Sequence, residues 1–179
     1  KEIRTAIGDS LPPYVFKDTN SGIEYDIIKE ALAYKGHVLI PVYVPFARTP
    51  SLLESNQVDA AATIFDLYDE KFFCSDSHIS YQNVAISLKE KNYKIDTIAD
   101  LAGKKILAFQ KANIYLGSEF AKYTDNPSIY SEVANQETQI GMLYKNRVDV
   151  IVMDIHIFYY YKKMTKLTKQ VSFIEQIRQ

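Results

Sequence analysis

Two rhythms of apolar and polar positions run through this chain, one with the period of a strand and one with the period of a helix. "IRTAIGD" (Ile3 to Asp9) reads as a short strand closing on a polar turn, and "LPPYVF" extends it through two prolines. In "SGIEYDIIKEALAYKG" the apolar residues recur at helical spacing: Ile23, Ile27 and Ala31 with Ile28 and Leu32. Ser21 and Glu24 stand at capping-box spacing before this helix, and Gly36 supplies its stop. "VLIPVYV" predicts the next strand, and Thr49 with Pro50 suits the N-cap and first turn of a second helix carrying Leu52 and Leu53.

The chain also echoes itself. "LESNQVDAAAT" from Leu53 and "LYKNRVDVIVM" from Leu143 share Leu, Asn, Val and Asp at the same offsets. Each reads as a helix end, a tight polar turn and a buried strand, and each follows a strand–helix–strand prelude, "IRTAIGD" in one case and "KKILAFQ" in the other. Strands alternating with helices predict parallel α/β units. Two such units imply two lobes: residues 1–88, residues 89–172, and a return crossing toward the first lobe at 173–179. "ISLKEKNYK" (Ile86 to Lys94), extended and then charged, serves as the connector.

In open α/β sheets ligands bind beyond the carboxyl ends of the strands. Asp9, Thr63, Gln110 and Asp154 are predicted at such ends, converging on a groove between the lobes. Asp154 is the most pointed case, because it follows the apolar Val150–Met153 without a break. An ionised side chain is seldom buried without a partner, so Asp154 is either a solvated strand end or a group awaiting a cation. Arg48, just before the Thr49–Pro50 helix start, offers a planar fork for a carboxylate or phosphate; a surface arginine is the plain alternative. Tyr14, Phe46 and Phe65 lie near strand ends or helix starts, where their faces could stack on a ring or help cage an ammonium. The run Tyr159–Tyr161 points in several directions around a helix and is assigned to core and rim packing.

Composition narrows the classes. The 179 residues are 47% hydrophobic and 24% charged, enough for a compact core. A net charge of −1 argues against a nucleic-acid or anionic-membrane surface. One cysteine, Cys74, excludes an internal disulfide. No stretch has the apolar length of a membrane span, and the chain opens straight into a strand pattern, as a processed or trimmed one does. Cys74, Asp76 and His78 alternate and would share one face of a strand, but match no closed metal motif; no metal or cofactor is expected. No nucleophile elbow, P-loop or dinucleotide fingerprint occurs, so no catalytic residue is assigned.

Six pieces in order, "IGDSLPPYVF", "SGIEYDIIKEAL", "LLESNQVDAAAT", "FFCSDSHISYQNVAISLKEK", "DLAGKKILAFQKANIY" and "LYKNRVDVIVMD", resemble the bacterial extracellular solute-binding proteins of family 3, the polar-amino-acid type. The resemblance covers nearly the whole chain. It implies an α/β, two-lobed periplasmic-binding-protein clamshell (type II), each lobe a mostly parallel sheet flanked by helices, closing on a small solute. It further implies that Asp154 holds a ligand's α-ammonium, that Phe46 is the cleft aromatic, and that Thr63 meets the ligand carboxylate. By the same resemblance the turn Gln110–Asn113 also meets that carboxylate, and Asp9 is the first-lobe acid. The departures are specific. The arginine that clamps the carboxylate after the Thr63 segment is absent, leaving Lys71 among Asp66 and Asp69. Leu11 replaces an aromatic, and Lys111 and Ala112 replace a glycine and a hydroxyl. The family's further C-terminal strand–helix stretch is not in this sequence: either the chain has been cut, or a partner chain covers the gap, or this is a shortened variant. An incomplete first lobe is expected to self-associate through exposed apolar surface.

Three functional readings follow. The first is a periplasmic or cell-surface solute-binding protein serving an ABC-type importer and its membrane permease, with a small polar or cationic solute. The second is an extracytoplasmic sensing domain of a signalling receptor. The third is a dehydratase-type enzyme on the same fold, with His156 as acid or base.

Overall fold

A computed structural model of the chain describes residues 1–9, 11–64 and 72–174. These fall into two compact units, residues 1–80 and 81–179.

The first unit is built on three parallel strands in the order β2-β1-β3: β1 (Glu2–Gly8), β2 (Val38–Val44) and β3 (Ala60–Ala61). Pro41 sits inside β2, which among the described residues pairs with β1 alone. Val38 and Val44 bond toward β1, so by alternation the Pro41 nitrogen faces away and its missing N–H breaks no rung. Helix α1 (Ile23–Tyr34) joins β1 to β2, and α2 (Thr49–Glu54) joins β2 to β3. Ala6, Leu52 and Val58 form a small core with Val42, Val44, Leu53 and Ala61 packed around it.

The expected stop of α1 is present. The Gly36 N–H donates to the Ala33 carbonyl (2.9 Å) and the His37 N–H to that of Leu32 (3.0 Å), with Gly36 at φ +72°. This is the Schellman pattern, which needs a left-handed residue after the helix. The expected capping box is not formed. Gly22 is the N-cap, at φ +125°, and Ser21 Oγ lies 2.7 Å from Thr19 Oγ1 instead. The buried residues of α1 are Glu24 and Tyr25, while Ile23 and Ile27 are exposed. The apolar stripe read from the sequence is therefore wider than the face that β2 covers.

The second unit holds a mixed five-stranded sheet in the order β6-β5-β7-β4-β8: β4 (Asn83–Leu88), β5 (Ile106–Phe109), β6 (Tyr130–Val133), β7 (Val150–Asp154) and β8 (Val171–Ile174). β5 runs parallel to β6 and β7, whereas β4 runs antiparallel to β7 and β8. Every residue of β5 and β7 is buried, which is why both read as unbroken apolar runs. Helices α3 (Ala112–Tyr115), α4 (Gly117–Ala121), α5 (Glu137–Tyr144) and α6 (Ile155–Thr165) flank the sheet. From α5 the buried Gln139 donates through Nε2 to the carbonyls of Leu107 (2.8 Å) and Val152 (2.9 Å), pinning the helix across β5 and β7.

This sheet corrects the expected boundary. Residues 83–88 belong to the second unit, not the first, because β4 pairs with β7 and β8 along its length and buries Ile86 and Leu88. The connector placed at Ile86–Lys94 is thus a sheet strand followed by a 3-10 turn at Lys89–Lys91. Val171–Ile174 closes the sheet edge beside β4 and is not a crossing, while residues 175–179 lie outside the described residues.

The sequence echo is a structural one. After α2, Asn56 (φ +56°) turns the chain, with Asn56 N–H to the Leu53 carbonyl (3.1 Å) and Gln57 N–H to that of Leu52 (3.0 Å). After α5, Asn146 (φ +55°) does the same, donating to Leu143 (3.0 Å), with Arg147 donating to Met142 (3.0 Å). Each aspartate then ties the coming strand to its neighbour. Asp59 Oδ2 accepts the Arg4 N–H and Asp149 Oδ2 the Lys105 N–H, both at 2.9 Å. The backbone N–H of each aspartate returns a 2.8 Å bond to the same residue's carbonyl. Asparagine suits both positions because it adopts the left-handed conformation more readily than most residues with a side chain.

Candidate functional site

In the second unit, Asp154 ends β7 and is the N-cap of α6, and its side chain is buried at 2% exposure. Its Oδ1 accepts the backbone N–H groups of His156 (2.8 Å) and Ile157 (3.1 Å), and its Oδ2 that of Gln82 (2.7 Å). Neither expectation for this residue is complete. Asp154 is not a solvated strand end, and its charge is already held within the chain by three donors. The capping also uses the positive end of α6, which favours negative charge there.

Beside it, β5 runs into a turn at Lys111, which is left-handed at φ +64°, and then into α3. The amides of this turn are not open. Glu132 of β6 accepts the Lys111 N–H through Oε2 (2.8 Å) and the Asn113 N–H through Oε1 (3.2 Å). The Tyr130 hydroxyl donates to the same Oε1 (2.7 Å). Burial, reinforced by the Glu132 bond, pushes the Tyr130 hydroxyl far above the usual phenol range, so it stays a donor. Gln110 is half-buried and Asn113 exposed.

In the first unit the strongest feature is one the sequence reading did not pick out. The Glu24 carboxylate is fully buried, and its Oε1 accepts the Thr63 hydroxyl (2.9 Å) and lies 3.1 Å from His78 Nε2. The Glu24 bond raises the pKa of His78 above its ordinary 6.5, against a smaller opposing effect of burial. Thr63 carries a positive φ of +58°, costly for a β-branched residue and typical of positions held by their surroundings. The signal available was register: Glu24, Ile28 and Leu32 lie one above another on the helix, so a carboxylate stands in an apolar stripe. Glu132 carried no such signal.

The remaining first-unit candidates divide. Asp9 is half-buried, 3.8 Å from Lys17 Nζ. Tyr14 is buried at 4%, which makes it a core side chain and not an open stacking face. Phe46 is half-buried in a 3-10 turn, Phe46–Arg48, leading into α2. Arg48 is exposed and makes no ion pair among the described residues. The helix starts at Thr49, not after it, and the Thr49 hydroxyl is buried without a hydrogen-bond partner among the described residues. Phe65, Asp66, Asp69 and Lys71 lie outside the described residues.

The alternating Cys74, Asp76 and His78 do not share a strand face, because residues 73–82 belong to no strand and His78 lies against Glu24. No group of three or more metal-ligating side chains occurs among the described residues. His156 is exposed in the first turn of α6. Among the described residues no helix is long and apolar enough to cross a membrane.

No protein-family model matches the chain, and no curated protein matches it in sequence. Solved structures do. An ancestral arginine-binding protein bound to arginine superposes with a TM-score of 0.78 at 20% identity, covering 98% of this chain and 79% of that one. A histidine kinase sensor domain with similarity to periplasmic binding proteins gives 0.83 at 15% identity, covering 100% and 78%. The substrate-binding protein of an ABC uptake transporter from Streptococcus pneumoniae, with bound histidine, gives 0.72 at 18% identity, covering 97% and 74%. The chain has the mixed α/β fold of the periplasmic binding proteins.

Proposed function

We propose that this chain is an extracytoplasmic solute-binding protein that captures a small polar or cationic, amino-acid-like solute for an ABC-type importer. The observation that carries the reading is Asp154: a buried carboxylate at the carboxyl end of a central strand, fixed by three amides. A carboxylate so fixed meets a solute ammonium with no reorganisation of its own, which is where binding energy is otherwise lost. The first-unit candidates Thr63, Phe46, Arg48 and Asp9 stand at or near the strand ends of their own unit. The bound amino acids of the arginine-binding protein and the pneumococcal transporter protein support this ligand class.

The second reading, a sensing domain of a membrane receptor, has its own support in the kinase sensor domain that spans all of this chain. The ligand chemistry is common to both. A thermal-shift screen over amino acids, polyamines, dicarboxylates and small peptides tests it, since a solute at 100 times its Kd adds about 2.7 kcal/mol to the native state. Titration of Asp154→Asn, which keeps an oxygen for the cap, should then show binding at least about tenfold weaker, the scale of ~1.4 kcal/mol. A panel in which nothing shifts the transition removes the reading. Unchanged affinity in Asp154→Asn removes that residue from the site.

A further inference from the structure

The turn after β5 has the form of an anion seat, and the chain fills it from within. Consecutive N–H groups at a left-handed turn make a concavity that receives negative charge, and ligands of such sheets lie beyond these strand ends. Here two of those N–H groups, Lys111 and Asn113, converge on the two oxygens of Glu132. Glu132 cannot swing aside cheaply, because Tyr130 holds it by a third bond (2.7 Å). Tyr130 itself is buried, with its ring edge-on to Phe120 at 6.0 Å. β6 and β7 flank β5 on opposite sides, so Glu132 and Asp154 stand on strands roughly 10 Å apart, two strand spacings. Among the described residues, the two carboxylates that backbone amides fix at this end of the second unit, Glu132 and Asp154, are both negative. The cation at hand, Lys111, is exposed on a flexible stem, and such a group contributes little to holding an anion.

An α-amino acid carries its ammonium and carboxylate on one carbon. With the ammonium at Asp154, its carboxylate is brought toward a turn whose amides are taken and whose charge is of the same sign. We propose that Glu132 is a specificity-determining residue, and that the solute is a cation with no carboxylate beside its amine: a primary amine, diamine or guanidine. This rests on the solute-binding reading above and narrows it.

Isothermal titration of the wild-type chain with matched pairs decides the matter: agmatine against arginine, cadaverine against lysine, putrescine against ornithine. Members of a pair differ only in the α-carboxylate. We expect the decarboxylated member of the best-bound pair to bind at least about tenfold tighter, and Glu132→Gln to narrow that gap at least about threefold. Circular dichroism confirms that the variant is folded. Amino acids binding as tightly as their amines overturn the inference and leave solute binding intact. A gap unchanged in folded Glu132→Gln overturns the role of Glu132. Binding only of neutral or anionic solutes overturns the cation, and a broad panel in which nothing binds overturns both readings together.

Discussion

Replacing Asp154 by alanine removes the acceptor of three backbone N–H groups at once, and the structure sets what this costs. Loss of the N-cap of α6, the bonds from His156 and Ile157, accounts for about 2 kcal/mol, the upper end of the usual 0.5–2 because the Ile157 N–H is left bare in a buried position. The Gln82 N–H, part-buried, adds ~1 kcal/mol. The total is ~3 kcal/mol, a large share of the 5–15 typical of a domain but short of unfolding it. Asp154→Asn keeps one acceptor oxygen and should lose about half as much. Equilibrium unfolding in urea, followed by far-ultraviolet circular dichroism, measures both. At a slope of about 2 kcal/mol per molar urea, the alanine midpoint falls by roughly 1.5 M. Hydrogen exchange at Ile157 should quicken in step. A loss under about 0.5 kcal/mol for Asp154→Ala would refute the reasoning, since three amides then bear no measurable dependence on that carboxylate.

Two other outcomes are expected. Gly22→Ala should destabilise the first unit by about 2–4 kcal/mol: a Cβ there would collide with the Tyr14 carbonyl oxygen, at φ +125°. A urea midpoint within error of wild type would show that the chain can relax around it. The His78–Glu24 bond should give a pH-dependent stability. Because the folded pKa of His78 is raised above 6.5, its contribution is complete below that value and is lost as pH rises through the raised one. The melting-temperature gap between wild type and His78→Gln should therefore narrow above about pH 6.5. A gap constant from about pH 5.5 to 8.5 counts against a charged pair.

What could be read in advance follows the range of the interaction. The Schellman stop at Gly36 and the paired turns at Asn56 and Asn146 depend on a handful of neighbouring residues, so local pattern is enough to place them. The apolar runs of β5 and β7 likewise announce strands buried on both faces. Glu24 shows the limit. Its spacing from Ser21 satisfies a local capping rule, yet the side chain turns inward to Thr63 and to His78, 54 residues away. Ile86–Leu88 reads as a connector because nothing nearby reveals that β7 and β8 will flank it.

The amino-acid sequence by itself determined the alternation of strands and helices, the repeated turn and the presence of an acid at the end of a buried strand. Tertiary structure alone decided how that acid is held, since one of its three amides comes from Gln82, 72 residues earlier in the chain. It also decided that Glu132 of one strand fills the turn after another. Local propensity is summed over neighbours along the chain, whereas a carboxylate's partners are fixed by which strands lie side by side.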